Sequence, residues 1–208
     1  SVNRMTFLQN GVERNYIQLG TVMTDAAYRK QGLARKLLEH VVNQYKDSCD
    51  GFYLFANLGA VDFYDRCGFS KINEYGYSVK EEFCSSGSEG ERFLPVNPAD
   101  VQMKQKYMDM VRHSAVNSSM EQLNKVGLQM FYTADMENVS YAKDIDCFIV
   151  TEQEGDTLFL QSIVCANQVT LSDVLQRMGG EFHKCRLGFT PVQNDRYMCI
   201  AEYYNGSD

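Results

Sequence analysis

The chain has 208 residues, 44% hydrophobic and 23% charged, a globular composition rather than a disordered or fibrous one. Acidic residues outnumber basic ones by 27 to 20, net −7, which argues against a nucleic-acid partner, since that needs a basic surface to displace counterions. No apolar run approaches the ~20 residues that cross a bilayer and no signal peptide is read at the start, so no membrane partner is expected.

This length suits one large core or two modest ones. The seven cysteines form an odd set without a CxxC pair, which predicts reduced thiols and a cytoplasmic setting. His183 and Cys185 alternate on one expected strand, but two ligands are not four, so no metal site is expected.

In chain order, "NRMTFLQ" (3–9) alternates as a strand and "NGVE" is a turn signal. "NYIQLGTVM" (15–23) reads as a second strand, followed by the loop "TDAAYRKQG". Leu33, Leu37, Leu38, Val41, Val42 and Tyr45 fall at helical spacing and predict a helix ending near Lys46. "GFYLFAN" is continuously apolar, as in a strand buried on both faces. "GAVDFYDRCGF" predicts a helix of about two turns stopped by Gly68, and "SKINEYGYSV" a further strand.

Residues 84–97 are rich in Ser, Gly and Glu and mark a linker between 1–83 and 98–208. Beyond it, Asn97 and Pro98 start a helix with Met103, Tyr107, Met110, Val111 and Ser114 on one face. Ser119 and Gln122 have capping-box spacing for a second helix. A hairpin around Glu154-Gly155-Asp156, a helix over 170–178 and two closing strands in 181–204 complete an α+β half.

Two stretches carry chemistry. In Arg29-x-x-Gly32-x-Ala34, small residues stand at a helix start, where backbone N–H groups lack intrahelical partners and the dipole is positive. A pyrophosphate can approach such groups closely, with Arg29, Lys30 and Arg35 adding charge; a plain loop with surface cations is the competing reading. Neither a P-loop nor a dinucleotide fingerprint is present. The second stretch is Asn57-x-x-Ala60-x-x-Phe63-Tyr64-x-x-x-Gly68-Phe69. Asn57, at a strand end, can bond a peptide-like chain; Ala60 is small where a helix would pass a ligand; the Tyr64 phenol can donate a proton. Read singly, Phe63, Tyr64 and Phe69 are core aromatics.

Residues 16–69 resemble the GNAT superfamily of acyl-CoA-dependent N-acetyltransferases. "VMTDAAYRKQGLARKLL" is similar to its pyrophosphate motif, R/Q-x-x-G-x-G/A, with Ala34 at the last small position, and "NLGAVDFYDRCGF" to its second cofactor motif. The resemblance implies an α/β (α+β) fold with a GNAT-like mixed, mostly antiparallel central sheet flanked by helices, and acetyl-CoA as cosubstrate. Val22, Met23 and Thr24 would pair with the pantetheine arm, and the N–H groups of Arg29, Lys30, Gln31, Gly32, Leu33 and Ala34 would take the pyrophosphate, with Arg35 beside them. Asn57 would bond the pantetheine beside Ala60 and Phe63, and Tyr64 would protonate the departing thiolate.

The reaction implied is direct attack by a primary amine, small-molecule or peptidic, in a ternary complex, with Glu13, Asp25 or a chain of waters as the base. Cys67, without an evident base partner, reads as packing. The strand and two helices that normally precede this pattern are not found ahead of it. The chain is then a fragment, or the helices within 98–126 replace them. The second half follows a similar element order without the glycine motif, as in a smaller, degenerate GNAT-like half. A non-catalytic acyl-CoA-binding or sensor module is the alternative function, and a homodimer is compatible with either.

Overall fold

The computed structural model describes residues 1–84, 92–179 and 182–204. The chain divides into two compact units, Ser1–Glu74 with Gln122–Asn124, and Tyr75–Glu121 with Lys125–Tyr204. Half of the linker expected at 84–97, residues 85–91, lies outside the described residues. The rest is not a linker, since Cys84 closes a helix, Phe93 and Val96 are buried and Leu94–Pro95 pairs as a strand with Ser140 and Tyr141.

The first unit opens with a hairpin of β1 (Val2–Gln9) and β2 (Val12–Leu19), in unbroken register from Val2↔Leu19 to Gln9↔Val12. Asn10 and Gly11 both take positive φ, 48° and 80°, the two-residue turn whose twist matches its strands. After β2 the chain crosses over through α1 (Leu33–Tyr45) to β3 (Gly51–Tyr53), which pairs parallel with β2 from Tyr16↔Gly51 to Gln18↔Tyr53. Asp50 extends that pairing. Its carboxylate accepts the Asn15 N–H (2.7 Å) and an Arg14 N–H (2.9 Å). A short 3-10 turn at Leu58–Ala60 leads into α2 (Val61–Asp65), and Gly68 (φ 91°) then turns the chain away. Ile17 and Leu19 of β2 face Leu38 and Val41 of α1 in the small core. On the β1 edge, Asn124 bonds the backbone of Arg4 and Thr6.

Two expectations for this unit are corrected. β2 stops at Leu19, four residues early, because Gly20 leads into Thr21 at φ 51°. Only Gly51–Tyr53 of "GFYLFAN" is a strand, half-buried, and Phe55 is 73% exposed rather than buried on both faces. Among the described residues β3 is an edge strand with β2 as its one neighbour, and an apolar run does not distinguish edge from centre.

The second unit runs through β4 (Glu74–Val79), α3 (Glu81–Cys84), β5 (Leu94–Pro95) and α4 (Val101–His113). Then follow β6 (Met120–Gln122), α5 (Val126–Tyr132), β7 (Val139–Ala142), β8 (Cys147–Glu154) and β9 (Thr157–Cys165). α6 (Leu171–Arg177), β10 (Lys184–Leu187) and β11 (Cys199–Tyr204) complete it. The seven-stranded sheet has the order β11-β4-β10-β9-β8-β7-β5 and is mostly antiparallel, with β9 and β10 parallel across α6. Helices cover both faces. Tyr107, Met110 and Val111 of α4 pack on Phe148, Val150 and Val164, and Leu171, Val174 and Leu175 of α6 pack with Cys147, Ile149 and Ile163.

Here the sequence reading shifts at three places. β4, read with the first half, pairs with β10 in the second unit's sheet; its Tyr77 and Val79 would serve either sheet. The helix placed at Asn97 and Pro98 starts at Val101, capped by Asp100, which accepts from the N–H groups of Gln102 and Met103. Ser119 and Gln122 do not cap a helix. Ser119 N–H donates to the Thr190 carbonyl (3.0 Å) and Leu123 N–H to the Thr6 carbonyl (2.8 Å), so strand-like pairing takes these donors and α5 begins uncapped at Val126.

Candidate functional site

The residues singled out in the sequence gather where β2 and β3 part. Their pairing ends at Gln18↔Tyr53, and both chains run on without each other. Among the described residues, no hydrogen-bond partner meets the backbone N–H of Val22, Met23 or Thr24. Val22 packs on the Leu19–Leu38 cluster, whereas Met23 is 82% exposed. Asp25 caps the 3-10 turn Ala26–Tyr28 by accepting the Ala27 N–H (2.9 Å), and Arg29 Nε donates to the Thr24 carbonyl (3.2 Å). This brace folds the loop back on the strand end.

Lys30 (φ 62°) and Gly32 (φ 73°) both take left-handed backbone, the kind of turn that gathers N–H groups into an anion-binding concavity. Gly32 is the N-cap of α1 and supplies no side chain to cap it. The first bond from the helix start is Lys36 N–H to the Gly32 carbonyl (3.0 Å). No partner is found among the described residues for the N–H groups of Lys30, Gln31, Gly32, Leu33, Ala34 or Arg35. A Cβ added at Gly32 would meet nothing within 4 Å, so the space above the helix start is open. The Arg35 guanidinium lies along the helix on Glu39 (2.9 Å), whose carboxylate holds it above its ordinary pKa; Lys30 is exposed.

The second motif lies on the same small core. Asn57 is exposed; its carbonyl accepts the Ala60 N–H (2.8 Å) and its amide makes no capping bond. Phe63 and Tyr64 are half-buried against the cluster that also holds Val22, with the Tyr64 ring 5.1 Å from Phe63 and 6.1 Å from Phe69. Burial pushes the Tyr64 phenol above its ordinary pKa. Among the described residues its hydroxyl makes no protein hydrogen bond. Cys67 packs in the same cluster.

The structure thus brings Val22, Phe63 and Tyr64 to one cluster and the 30–35 N–H groups to one helix start. Neither candidate base stands free at this end. Glu13 lies six positions before Leu19, about 20 Å along an extended strand. Asp25 has one carboxylate oxygen engaged by the loop backbone, where it accepts the Ala27 N–H. The roles of Asp25 as cap and Arg29 as brace were missed; the cap was readable, since Asp before two small residues is an Asx-turn signal. No group of three His, Cys, Asp or Glu among the described residues could hold a metal ion, and none of their helices is long and apolar enough to cross a membrane.

Residues 4–69 match the model of the acetyltransferase (GNAT) family. The fold is likewise that of GNAT N-acetyltransferases. A conserved protein from Enterococcus faecalis V583, described as a probable N-acyltransferase, aligns with 100% of this chain and 52% of its own at TM-score 0.59 and 14% identity. A GCN5-related N-acetyltransferase from Kribbella flavida aligns at TM-score 0.61 and 13% identity, over 98% of this chain and 53% of that one. Eis1 from Mycobacterium abscessus gives 0.56 and 10%, over 97% and 57%. The chain therefore spans about half the length of these structures. No curated protein matches it by sequence.

Proposed function

We propose that the unit of Ser1–Glu74 binds acetyl-CoA and transfers the acetyl group to a primary amine, of a small molecule or a peptide, by direct attack. The reading rests on the unpartnered N–H groups from Lys30 to Arg35 at an uncapped helix start. A diphosphate satisfies such donors together, helped by the helix dipole. The free N–H groups of Val22 to Thr24 suit the amides of a pantetheine arm and the thioester oxygen that gains charge during attack. As the amine nitrogen bonds the carbonyl carbon, the C–S bond breaks and the thiolate leaves. Tyr64, kept protonated by burial, donates its proton to that sulfur, and the amine's proton passes to water.

The second unit is read as a companion without a cradle. It repeats the strand–helix–parallel strand unit as β9–α6–β10, but Asp195 accepts the Leu171 N–H (3.3 Å) and the Thr170 hydroxyl accepts the Asp173 N–H (3.0 Å). A non-catalytic acyl-CoA-binding module is the second reading, favoured by the Asp25 carboxylate, the candidate base nearest the β2 end, accepting the Ala27 N–H as a loop cap. The cytoplasmic setting rests on the odd set of seven cysteines without a CxxC pair. Calorimetric titration with CoA, together with thiol release from acetyl-CoA across a panel of amines, tests all of this. Binding with turnover supports the enzyme, binding with no turnover on any amine leaves the module, and no binding removes the site.

A further inference from the structure

β8 and β9 carry Cys147 and Cys165 directly opposite each other, both fully buried on the sheet face that α6 covers. The kind of pair they form can be read from the backbone. Cys165 donates its N–H to Ser114 Oγ (3.4 Å) and accepts the Ala115 N–H at its carbonyl (2.8 Å). Both groups of one strand residue point to the same side, so those of Cys165 point away from β8. Cys147 and Cys165 are therefore a non-hydrogen-bonded pair, the kind in which facing side chains come closest. Cα atoms in such pairs stand about 4.5 Å apart, within the roughly 4.4–6.8 Å that a disulfide spans.

The two sulfurs are not equivalent. Asn117 Nδ2 donates to Cys165 Sγ (3.1 Å), and Asn117 Oδ1 is left buried without a partner. Hydrogen bonds from the Cys147 thiol and from Asn117 hold Cys165 below its ordinary value against the effect of burial, while Cys165 and burial push Cys147 above its own. Burial pushes Cys185 up to about 12 and Cys199 to about 11. The Asn117 N–H that donates to its sulfur favours a thiolate on Cys165, which makes it the nucleophile of the pair and Cys147 the resolving thiol.

We propose that Cys147 and Cys165 are an oxidisable pair that closes to a cross-strand disulfide when the protein meets a hydroperoxide such as hydrogen peroxide. The Cys165 thiolate attacks one peroxide oxygen, the O–O bond breaks, and the departing hydroxide takes a proton to become water. Cys147 sulfur then attacks the sulfenic sulfur of Cys165, expelling hydroxide, which takes up the Cys147 proton. Two thiols and one peroxide give one disulfide and two waters, with both electrons passing from sulfur to oxygen. Because the pair is buried, the reaction waits on opening of this end of the hairpin. It is slower than oxidation of the half-buried Cys49 and Cys67.

The stretch from Asp144 to Arg177 contains no Lys or Arg before its end and no other cysteine, so one tryptic peptide reports the pair. The folded chain is treated with hydrogen peroxide, its remaining thiols are alkylated, and the digest is weighed without reduction. The expected peptide is lighter by two hydrogen atoms, unalkylated, and restored to two thiols by dithiothreitol. A Cys165→Ala variant is expected to leave Cys147 alkylatable. Two alkylated thiols in the wild-type peptide, after prolonged exposure that has consumed Cys49 and Cys67, would overturn the proposal. So would a peptide that gains oxygen in place of losing hydrogen, or a link that forms only in denaturant.

Discussion

Tyr64 is asked to do two things, and its ring and hydroxyl separate them. The ring packs with Phe63 and Phe69 on the first unit's core, a role any aromatic of that size fills. The hydroxyl alone can serve the leaving thiolate. Tyr64→Phe is expected to lower kcat by roughly 10²-fold, the lower end for general acid catalysis, with CoA affinity within a few-fold of wild type. If Tyr64 matters only for packing, the variant turns over normally and any loss appears in Tm. Asp50 gives a second test, of the β2–β3 pairing that it extends. Hydrogen bonds from Asn15 and Arg14 hold its carboxyl below its ordinary pKa. A depressed folded pKa contributes stability above the unfolded value, about 3.9, and loses it as pH falls through the folded value. Asp50→Ala should therefore melt below wild type at pH 7, and the difference should shrink in acid. A Tm gap that stays constant down to strongly acid pH would remove the charge from the account. The motif spacing made Tyr64 visible in the sequence; Asp50 was not, because its partners come from β2, more than thirty residues away.

The elements that build the site were legible to different degrees, for physical reasons. α1 announced itself through its helical repeat, and the β1–β2 hairpin through Asn10-Gly11, since both signals are local. The edge position of β3 and the extended course of Ser119–Leu123 depend on partners distant in sequence, so an apolar run and a capping spacing both misled. The start of α1 carries the next prediction. Gly32 sits at φ 73°, which asparagine tolerates better than other side chains do, and a Cβ there meets open space. Gly32→Asn should keep the fold while placing a side chain where a diphosphate would lie. CoA affinity is expected to fall at least tenfold, about 1.4 kcal/mol. Calorimetry on a folded variant showing unchanged affinity would take the cradle out of the argument.

At the scale of the whole chain, the two units differ in how much they bury. Among the described residues, the first has four buried apolar residues in its core, Ile17, Leu19, Leu38 and Val41, ringed by half-buried ones. The second has helices on both faces of its sheet and two buried clusters, so its central strands are sealed from both sides. Sequence periodicity gave no measure of this contrast, because Leu33 and Leu37 count toward the α1 stripe and are 43% and 58% exposed. Local opening is governed by such burial, and segments with few buried contacts open at lower free energy. Backbone amides of β8 and β9 should therefore exchange with deuterium most slowly, and those of β2, β3 and α1 faster. Leu38→Ala, which removes a central side chain from the smaller core at a cost of about 2–5 kcal/mol, should raise exchange through Ser1–Glu74 while β8 and β9 keep their protection. CoA, if it sits on the α1 start, should slow exchange at residues 20–35 and 54–64 and leave α6 unchanged. Protection arising at Leu171–Arg177 instead would move the cofactor to the second unit, and equal exchange in β2 and β9 would refute the difference in burial as the cause.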